Sequence, residues 1–476
     1  MILKTDTFSP QRFESKGSAE IRGKKIPYNT VCEDNVFYGD DGSAMASIFS
    51  YSYFRSDVKD TDDRPVLFCF NGGPGSASVM VHLGFLGPVR VKYGDVDGAG
   101  VPLPPYETCN NDESLLDIAD IVVMDAVGTG YGRLIDQTKA DQFFGVEQDA
   151  ESMLTFVQMW LTRYGRWKSP KYIVGESYGC TRAACMIGMG LLGADRTYSL
   201  AFDGAVLIGN TVMNGARWSA RPVYPAVTLL PTIAAINWYH NHPSDQTCEE
   251  FAREAADWAQ KVYLPALFKG ESMTAKEREA VIKKLMYYTG ASRRYLEERD
   301  LEIEPTEIRA EIAAGKGLAV GRLDGRVTRP LYATAKAERD PGRGLDDDPS
   351  ADKYSPFFQA AFLGTAAPML GIKTERNFVD ARNLWANWKN DMKYRDTANS
   401  VSDAMRDNPN MKVLFMNGWY DLATTTGGLW YMLSHSHLPM DRVDVKYYET
   451  GHMVYLGEDK VNTVNKDIRE FLTGKK

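Results

Sequence analysis

Three side chains with complementary acid–base chemistry stand at glycine-marked breaks in this chain. They are Ser177 in Gly175-Glu176-Ser177-Tyr178-Gly179, Asp421 in Asn417-Gly418-Trp419-Tyr420-Asp421, and His452 in Gly451-His452-Met453. A hydroxyl, an imidazole and a carboxylate together make a nucleophile whose proton has somewhere to go, which is the chemistry of acyl transfer. The pattern G-x-S-x-G is weak by itself. Here the β-prone Tyr172-Ile173-Val174 precedes it, and a small-residue run that can be helical follows. Strand, sharp turn and helix form the setting in which such a serine is thrown clear of its own backbone, at the positive end of the helix. The flanking glycines matter because so tight a turn crowds any Cβ nearby.

The order Ser, Asp/Glu, His places the base late in the chain, after a strand. Of the six histidines only His452 meets both conditions. His82 precedes the serine, and His240 and His242 fall in a block of different composition. His435 and His437 sit two residues apart, on opposite sides of a helix with no carboxylate beside them, so they make no metal pair. No residue spacing suggests a metal or another cofactor. Asp421 follows the apolar run 411–416 and is the natural orienter of the imidazole, fixing its tautomer and stabilising the imidazolium. Alone it would read as a turn aspartate beside glycine. Three strand-end motifs in the required order favour the orienter.

An acyl-transfer site also needs an oxyanion hole. One donor is the N–H of the residue after the nucleophile, Tyr178, and the other comes from the loop after an earlier strand. The glycine-rich stop Asn71-Gly72-Gly73-Pro74-Gly75 supplies it, with Gly73 chosen because no side chain blocks its N–H. A phosphate-binding loop is the competing reading. No Lys-Ser/Thr pair follows, and Pro74 lacks a donor, so that reading is discounted.

The elements that must position these groups alternate. Residues 20–62 read as antiparallel β structure, with turns at 39–42. Continuous apolar runs at 65–70, 121–125 and 202–208 read as strands buried on both faces. A long amphipathic helix is expected over 142–164, a small-residue helix from about 180 to 192, a helix around 376–393, and a last one over 460–473. Strands 413–416 and 443–448 complete the pattern. Strands alternating with helices predict a mostly parallel sheet with helices on both faces, an α/β class whose ligands bind at the carboxyl ends of the strands. Both glycine-rich stops and Ser177 lie at such ends. Residues 210–355 differ, with an apolar aromatic stretch at 226–240, charged amphipathic helices over 247–315, and a polar Pro/Gly/Asp-rich link at 337–353. Three units result: a core over 1–209, a helical cap insertion over 210–355, and the rest of the core over 356–476.

At 476 residues, 44% of them hydrophobic and 25% charged, the chain has ordinary globular composition and exceeds the usual single core. A net charge of −8 argues against nucleic acid or an anionic membrane as the main partner. No apolar run reaches the roughly 18 residues needed to span a bilayer. The N-terminus shows no apolar signal region. A cytoplasmic protein is expected if Met1 is the native start, a periplasmic or secreted one if a leader has been removed. The six cysteines are scattered, and no N-x-[ST] sequon occurs. Buried, reduced thiols and a bacterial-type compartment are expected.

Four motifs taken together resemble the serine carboxypeptidase family, particularly its bacterial branch: FNGGPGSAS at 70–78, GESYG at 175–179, NGWYDLATTTGG at 417–428 and GHM at 451–453. DAVGTGYGR at 125–133 adds support. The resemblance covers nearly the whole chain and implies an α/β-hydrolase fold and removal of C-terminal amino acids from peptides through an acyl-enzyme. It also implies that Asn71 and Glu176 bind the substrate's terminal carboxylate. Two carboxylates in contact repel, so Glu176 can do this only when protonated, which favours acid. Two positions depart from the family. Its second carboxylate-binding glutamate precedes a Leu-Gly-Pro, where Phe85 stands here, and a cysteine usual in eukaryotic members is Ser76. An esterase or acyltransferase on the same scaffold is the alternative, and a non-catalytic binding protein a second one. Phe85, Trp419 and Tyr420 are candidates for a substrate pocket, with Tyr178 and the aromatics at 238–239. The partner expected is a peptide or peptide-like substrate, and monomer and homodimer both remain open.

Overall fold

The computed structural model describes residues 8–93, 104–192, 199–213, 224–331, 348–382, 384, 388, 389 and 397–474. Three long strands, β1 (Arg12–Ile21), β2 (Lys24–Tyr38) and β3 (Ala44–Arg55), form an antiparallel meander. Six shorter strands follow: β4 (Val66–Phe70), β5 (Asp120–Asp125), β6 (Lys171–Glu176), β7 (Gly204–Ile208), β8 (Lys412–Gly418) and β9 (Val443–Tyr448). Their order across the sheet is β1-β2-β3-β5-β4-β6-β7-β8-β9, and Arg133–Leu134 adds a short edge piece on β3. From β5 to β9 every neighbour pairs in parallel. This is the mostly parallel sheet expected of an α/β-hydrolase.

The apolar runs are continuous because both faces of the sheet are covered. Successive residues of a strand point to opposite sides, so Leu67 and Cys69 of β4 enter one core while Val66, Phe68 and Phe70 enter the other. The second core is closed by helices α1 (Val146–Arg163), α2 (Tyr178–Leu192) and α3 (Thr397–Asp407), the first by Pro349–Ala361 and Glu458–Thr473. Met153, Leu154, Val157, Trp160 and Leu161 give α1 its buried stripe, and Glu147 and Asp149 in its first turn suit the positive end of the helix. Truncating Phe68 to alanine in such a core costs about 3–5 kcal/mol. All six cysteines are free thiols, five of them buried.

A third apolar cluster lies beyond the carboxyl ends of the strands. Helix Tyr224–Asn241 packs against Cys248–Trp258 and Ala275–Thr289, and Trp419, Tyr420 and Leu422 from the end of β8 join the same cluster. Thr247 and Thr274 each close a capping box on the following helix. The chain returns through Asp348, whose side chain caps helix Pro349–Ala361. Residue 355, where the sequence places the end of the insertion, falls inside that helix.

One expected element does not form. Residues 376–382, read as the start of a helix, run extended across the glycine-rich loops. Bridges join Ser76 to Ala381, Gly130 to Val379 and Gly145 to Lys389. The Ala77 N–H donates to Asp380 (2.7 Å), the Gly130 N–H to Val379 (2.8 Å) and the Arg382 N–H to Gly75 (2.8 Å). Loops with open backbone offer this segment partners that a helix would forgo. The remainder of the expected helix lies largely outside the described residues.

Candidate active site

Ser177 sits between β6 and α2 with φ +60°, a left-handed conformation that non-glycine residues seldom adopt. Its N–H donates to the Ile208 carbonyl at 2.9 Å, and its own carbonyl accepts from Cys180 N–H (2.8 Å) and from the Thr211 hydroxyl (2.7 Å). The turn is therefore held on both sides by β7 and the residues after it. Glycines surround it for lack of space. A Cβ at Gly72 would lie 2.5 Å from the Tyr178 nitrogen, and one at Gly175 would lie 2.6 Å from the Gly179 carbonyl oxygen. Ser177 itself is half-buried while its neighbours Glu176 and Tyr178 are buried. Neither the Gly73 amide nor the Tyr178 amide donates to a protein acceptor among the described residues. Below the elbow, Arg182 binds Asp149 (2.7 Å) and donates to the Asn71 carbonyl (2.7 Å), tying α1, α2 and the glycine-rich loop together.

Asp421 and His452 meet across the ends of β8 and β9. Asp421 Oδ2 accepts from His452 Nδ1 at 2.7 Å. The carboxylate is saturated: Oδ1 accepts the N–H groups of Ala423 (2.8 Å) and Thr424 (3.0 Å), and Oδ2 also accepts the Thr424 hydroxyl. Burial disfavours a charged ring, yet the Asp421 carboxylate outweighs it and holds the His452 pKa above its ordinary value. The other ring nitrogen, Nε2, is buried without a partner, so the Ser177 hydroxyl does not donate to it here. Such bonds commonly shorten only when substrate arrives. Gly209, the residue after Ile208, lies against the ring: a Cβ there would be 2.6 Å from His452 Cε1. Elbow and imidazole thus share the end of β7.

A segment from the helical block, residues 322–325, holds the backbone on either side of Asp421 and that of His452. The His452 N–H donates to Leu323 (2.6 Å), the Leu422 N–H to Arg322 (3.0 Å), and the Gly325 N–H to Tyr420 (2.9 Å). Asp348 in turn accepts the N–H groups of Arg322 and Leu323, both at 2.9 Å.

On the far side of the elbow, Asn71 Nδ2 donates to Glu176 Oε1 at 2.7 Å, while Asn71 Oδ1 accepts the Val81 N–H at 3.0 Å. Glu176 is buried. Desolvation lifts its pKa to about 7, with the neighbouring Asp421 charge adding to the rise and His452, Tyr455 and Asn71 opposing it. Its second oxygen, Oε2, has no hydrogen-bond partner. The Tyr455 hydroxyl is close enough to interact with Glu176 but stops short of hydrogen-bonding geometry.

A family model for serine carboxypeptidases matches residues 38–463. The chain belongs to the serine carboxypeptidase family. Two relatives from Arabidopsis thaliana share parts of it. Serine carboxypeptidase-like 36 is 33% identical over 134 residues, 28% of this chain and 26% of that protein. Serine carboxypeptidase-like 38 is 34% identical over 197 residues, 34% of this chain and 37% of that protein. The matched stretches thus span about a quarter to a third of these relatives. Among solved structures, the prohormone-processing carboxypeptidase Kex1(Δ)p of Saccharomyces cerevisiae superposes with a TM-score of 0.55 at 14% identity, over 97% of this chain and 91% of that one. At that identity the likeness shows the fold, an α/β-hydrolase.

Within this serine carboxypeptidase-family chain, Ser177, Asp421, His452, Gly73, Tyr178, Asn71 and Glu176 all fall at the carboxyl ends of the parallel strands. The pocket candidates do not all join them. Phe85 is fully buried, with its ring 4.7 Å from that of Tyr455, and it belongs to the core beneath the site. Trp419 is buried against Tyr447 at 5.1 Å, with Arg253 over the ring, and packs the third apolar cluster. Tyr420 belongs to the same cluster and also borders a cavity of about 670 Å³ with Trp238, Tyr239, Arg326 and Glu449, a cavity that neither Ser177 nor His452 lines. An aromatic beside a site motif is as often there to pack as to bind. Three residues of the site carry no sequence signal of their own, Gly209, Leu323 and Tyr455, and Thr424 goes unremarked. For Thr424 the threonine run after Asp421 is a clue, since a hydroxyl three residues on can return to an aspartate.

Proposed function

We propose that this protein is a serine carboxypeptidase-like hydrolase that releases C-terminal residues from peptides through an acyl-enzyme. The observation that carries the reading is the 2.7 Å bond from His452 Nδ1 to Asp421, with Nε2 buried and free beside the Ser177 elbow. In the proposed reaction Ser177 Oγ attacks the scissile carbonyl carbon and His452 Nε2 takes the hydroxyl proton. The resulting imidazolium is stabilised by Asp421, whose four accepted hydrogen bonds keep the carboxylate in place. The N–H groups of Gly73 and Tyr178 receive the oxyanion, each contributing about 3 kcal/mol to the transition state. His452 then gives its proton to the leaving amine, the C–N bond breaks, and water repeats the sequence on the ester.

Asn71 and Glu176 are proposed to hold the terminal carboxylate of the substrate. A carboxyl that titrates near pH 7 is protonated on the acid side and can donate to that carboxylate. Above about pH 7 the two charges repel and binding weakens. The acid limb of activity belongs to His452, which must be neutral to act as base, and since the two groups face each other they titrate as a pair. A bell-shaped kcat/KM against pH follows, whose alkaline limb is present for free-acid peptides and absent for their amides. Residues 210–355, whose buried apolar side chains largely form a cluster of their own, are proposed to act as a cap over these strand ends.

A second reading, an esterase or acyltransferase, is favoured by Phe85, an apolar residue where the family resemblance implies a second acid. Assaying a blocked dipeptide, its C-terminal amide and a simple aryl ester separates the two. Cleavage of the free-acid peptide well above its amide is the expected outcome. Turnover of the ester with no turnover of the free-acid peptide would sink the carboxypeptidase reading, and failure of a fluorophosphonate to label Ser177 would sink both.

A further inference from the structure

Three buried polar atoms without hydrogen-bond partners converge beside the Ser177 elbow: Glu176 Oε2, His452 Nε2 and the Tyr455 hydroxyl. The first is electrostatically coupled to both of the others. His452 Nε2 is accounted for as the base. Glu176 at least uses its other oxygen on Asn71. Tyr455 differs from every other residue in this condition among the described residues, because the hydroxyl is the only polar atom of its side chain and, though near enough to Glu176 and Asn71 to interact with both, it makes no hydrogen bond of good geometry. A phenol could have been a phenylalanine at this depth, and a buried donor left unmade is destabilising. Such a group is retained where a ligand supplies the acceptor.

The ring has no freedom to seek another partner. Tyr455 is fully buried, and its ring packs tilted against that of Phe85, centroids 4.7 Å apart. A Cβ on Gly84 would lie 2.2 Å from Tyr455 Cε2, so only glycine lets the ring settle where it does. Gly84 and Phe85 belong to a five-residue π-helical turn, His82–Leu86, an irregularity that re-aims side chains and recurs at functional sites. Tyr93 fixes the other flank through its hydroxyl, which donates to the Tyr455 carbonyl at 3.5 Å. The result is a rigid phenol pointed at Glu176.

We propose that Tyr455 is a specificity residue that donates its hydroxyl hydrogen to the terminal carboxylate of the substrate. In this arrangement Asn71 holds Glu176, protonated Glu176 donates to one carboxylate oxygen, and Tyr455 donates to the other. Phe85, apolar itself, serves by holding the phenol in place. Burial keeps Tyr455 neutral throughout, since the pKa of its hydroxyl is held well above that of a free tyrosine. The proposal rests on the carboxypeptidase reading.

Tyr455→Phe tests it, because the variant keeps the ring and its packing against Phe85 and removes only the donor. Wild type and variant are compared on a blocked dipeptide with a free C-terminus and on the same dipeptide as its amide. The rate of fluorophosphonate labelling of Ser177 reports whether the elbow is intact. Expected is a loss of about 10- to 100-fold in kcat/KM on the free acid, carried by KM, with the amide and the labelling rate unchanged. A wild type that favours the free acid and a Tyr455→Phe protein that favours it equally would overturn the role of Tyr455 alone. If the variant labels poorly, the Kd of the blocked dipeptide's acyl product decides instead: it weakens by a similar factor if Tyr455 binds the carboxylate and is unmoved if it does not. A wild type that does not distinguish acid from amide overturns the carboxypeptidase reading and the proposal with it.

Discussion

The two ends of the parallel sheet both bury charge, and they treat it in opposite ways. At the amino ends, Asp120 lies between Arg64 (2.9 Å) and Arg166. Every side-chain nitrogen and oxygen of the three is hydrogen-bonded, with Arg64 reaching the carbonyls of Leu116 and Ala119 and Arg166 reaching Ser169 and the Arg64 carbonyl. At the carboxyl ends, Glu176, His452 and Tyr455 are buried with atoms left over. A complete cluster can only hold the fold. An incomplete one has capacity for something else, and the parallel strands present it beside Ser177.

That contrast predicts which substitutions remove activity and which remove stability. Ser177→Ala should lower kcat by about 10⁶ while leaving the urea midpoint within experimental error of wild type. A large loss of stability would place Ser177 among the structural groups. Asp421→Asn should cost about 10⁴ in kcat through the wrong imidazole tautomer, with Ser177 still present but slowly labelled. Asp120→Asn belongs to the other end. Removing its charge strands two buried guanidinium groups and should destabilise by about 3–5 kcal/mol in a denaturant titration, while the folded fraction keeps its kcat/KM. Loss of specific activity without loss of stability would reverse the assignment of the two ends.

The smallest expected effect is the sharpest for the comparison. The folded protein holds the Glu176 pKa at about 7 against an ordinary value of 4.5. The native state therefore binds this proton more tightly than the unfolded one. Its contribution to stability is full below about 4.5 and is lost as pH rises through about 7. Glu176→Gln should remove about 3 kcal/mol of that decline, seen as a flatter dependence of unfolding free energy on pH. An unchanged slope would mean that Glu176 is as well satisfied as Asp120.

Much of this architecture is legible in the residues alone. Strands of continuous apolar residues can only be covered on both faces, and the glycines around Ser177 can only mark a turn with no room for side chains. The proposed triad is legible because each member follows a strand, and strand ends are what a parallel sheet brings together. The parts that escape such a reading share a different property. Leu323 acts through its backbone carbonyl, which any residue possesses, so nothing in Arg322-Leu323-Asp324-Gly325 marks it beyond a turn. Residues 376–382 carry a helix-like pattern, and partners on distant glycine loops override it. Tyr455 reads as filler after the histidine motif, and Phe85 as a gap in the carboxylate clamp. Neither makes sense without the 4.7 Å ring contact that joins them.

The backbone of residues 322–325 is bonded to Tyr420, Leu422 and His452 at once. These bonds tie the position of Asp421 and His452 to a stretch that precedes both in the chain. An exchange of the 210–355 block between relatives would have to spare these four residues, whose backbone holds His452 and the two neighbours of Asp421.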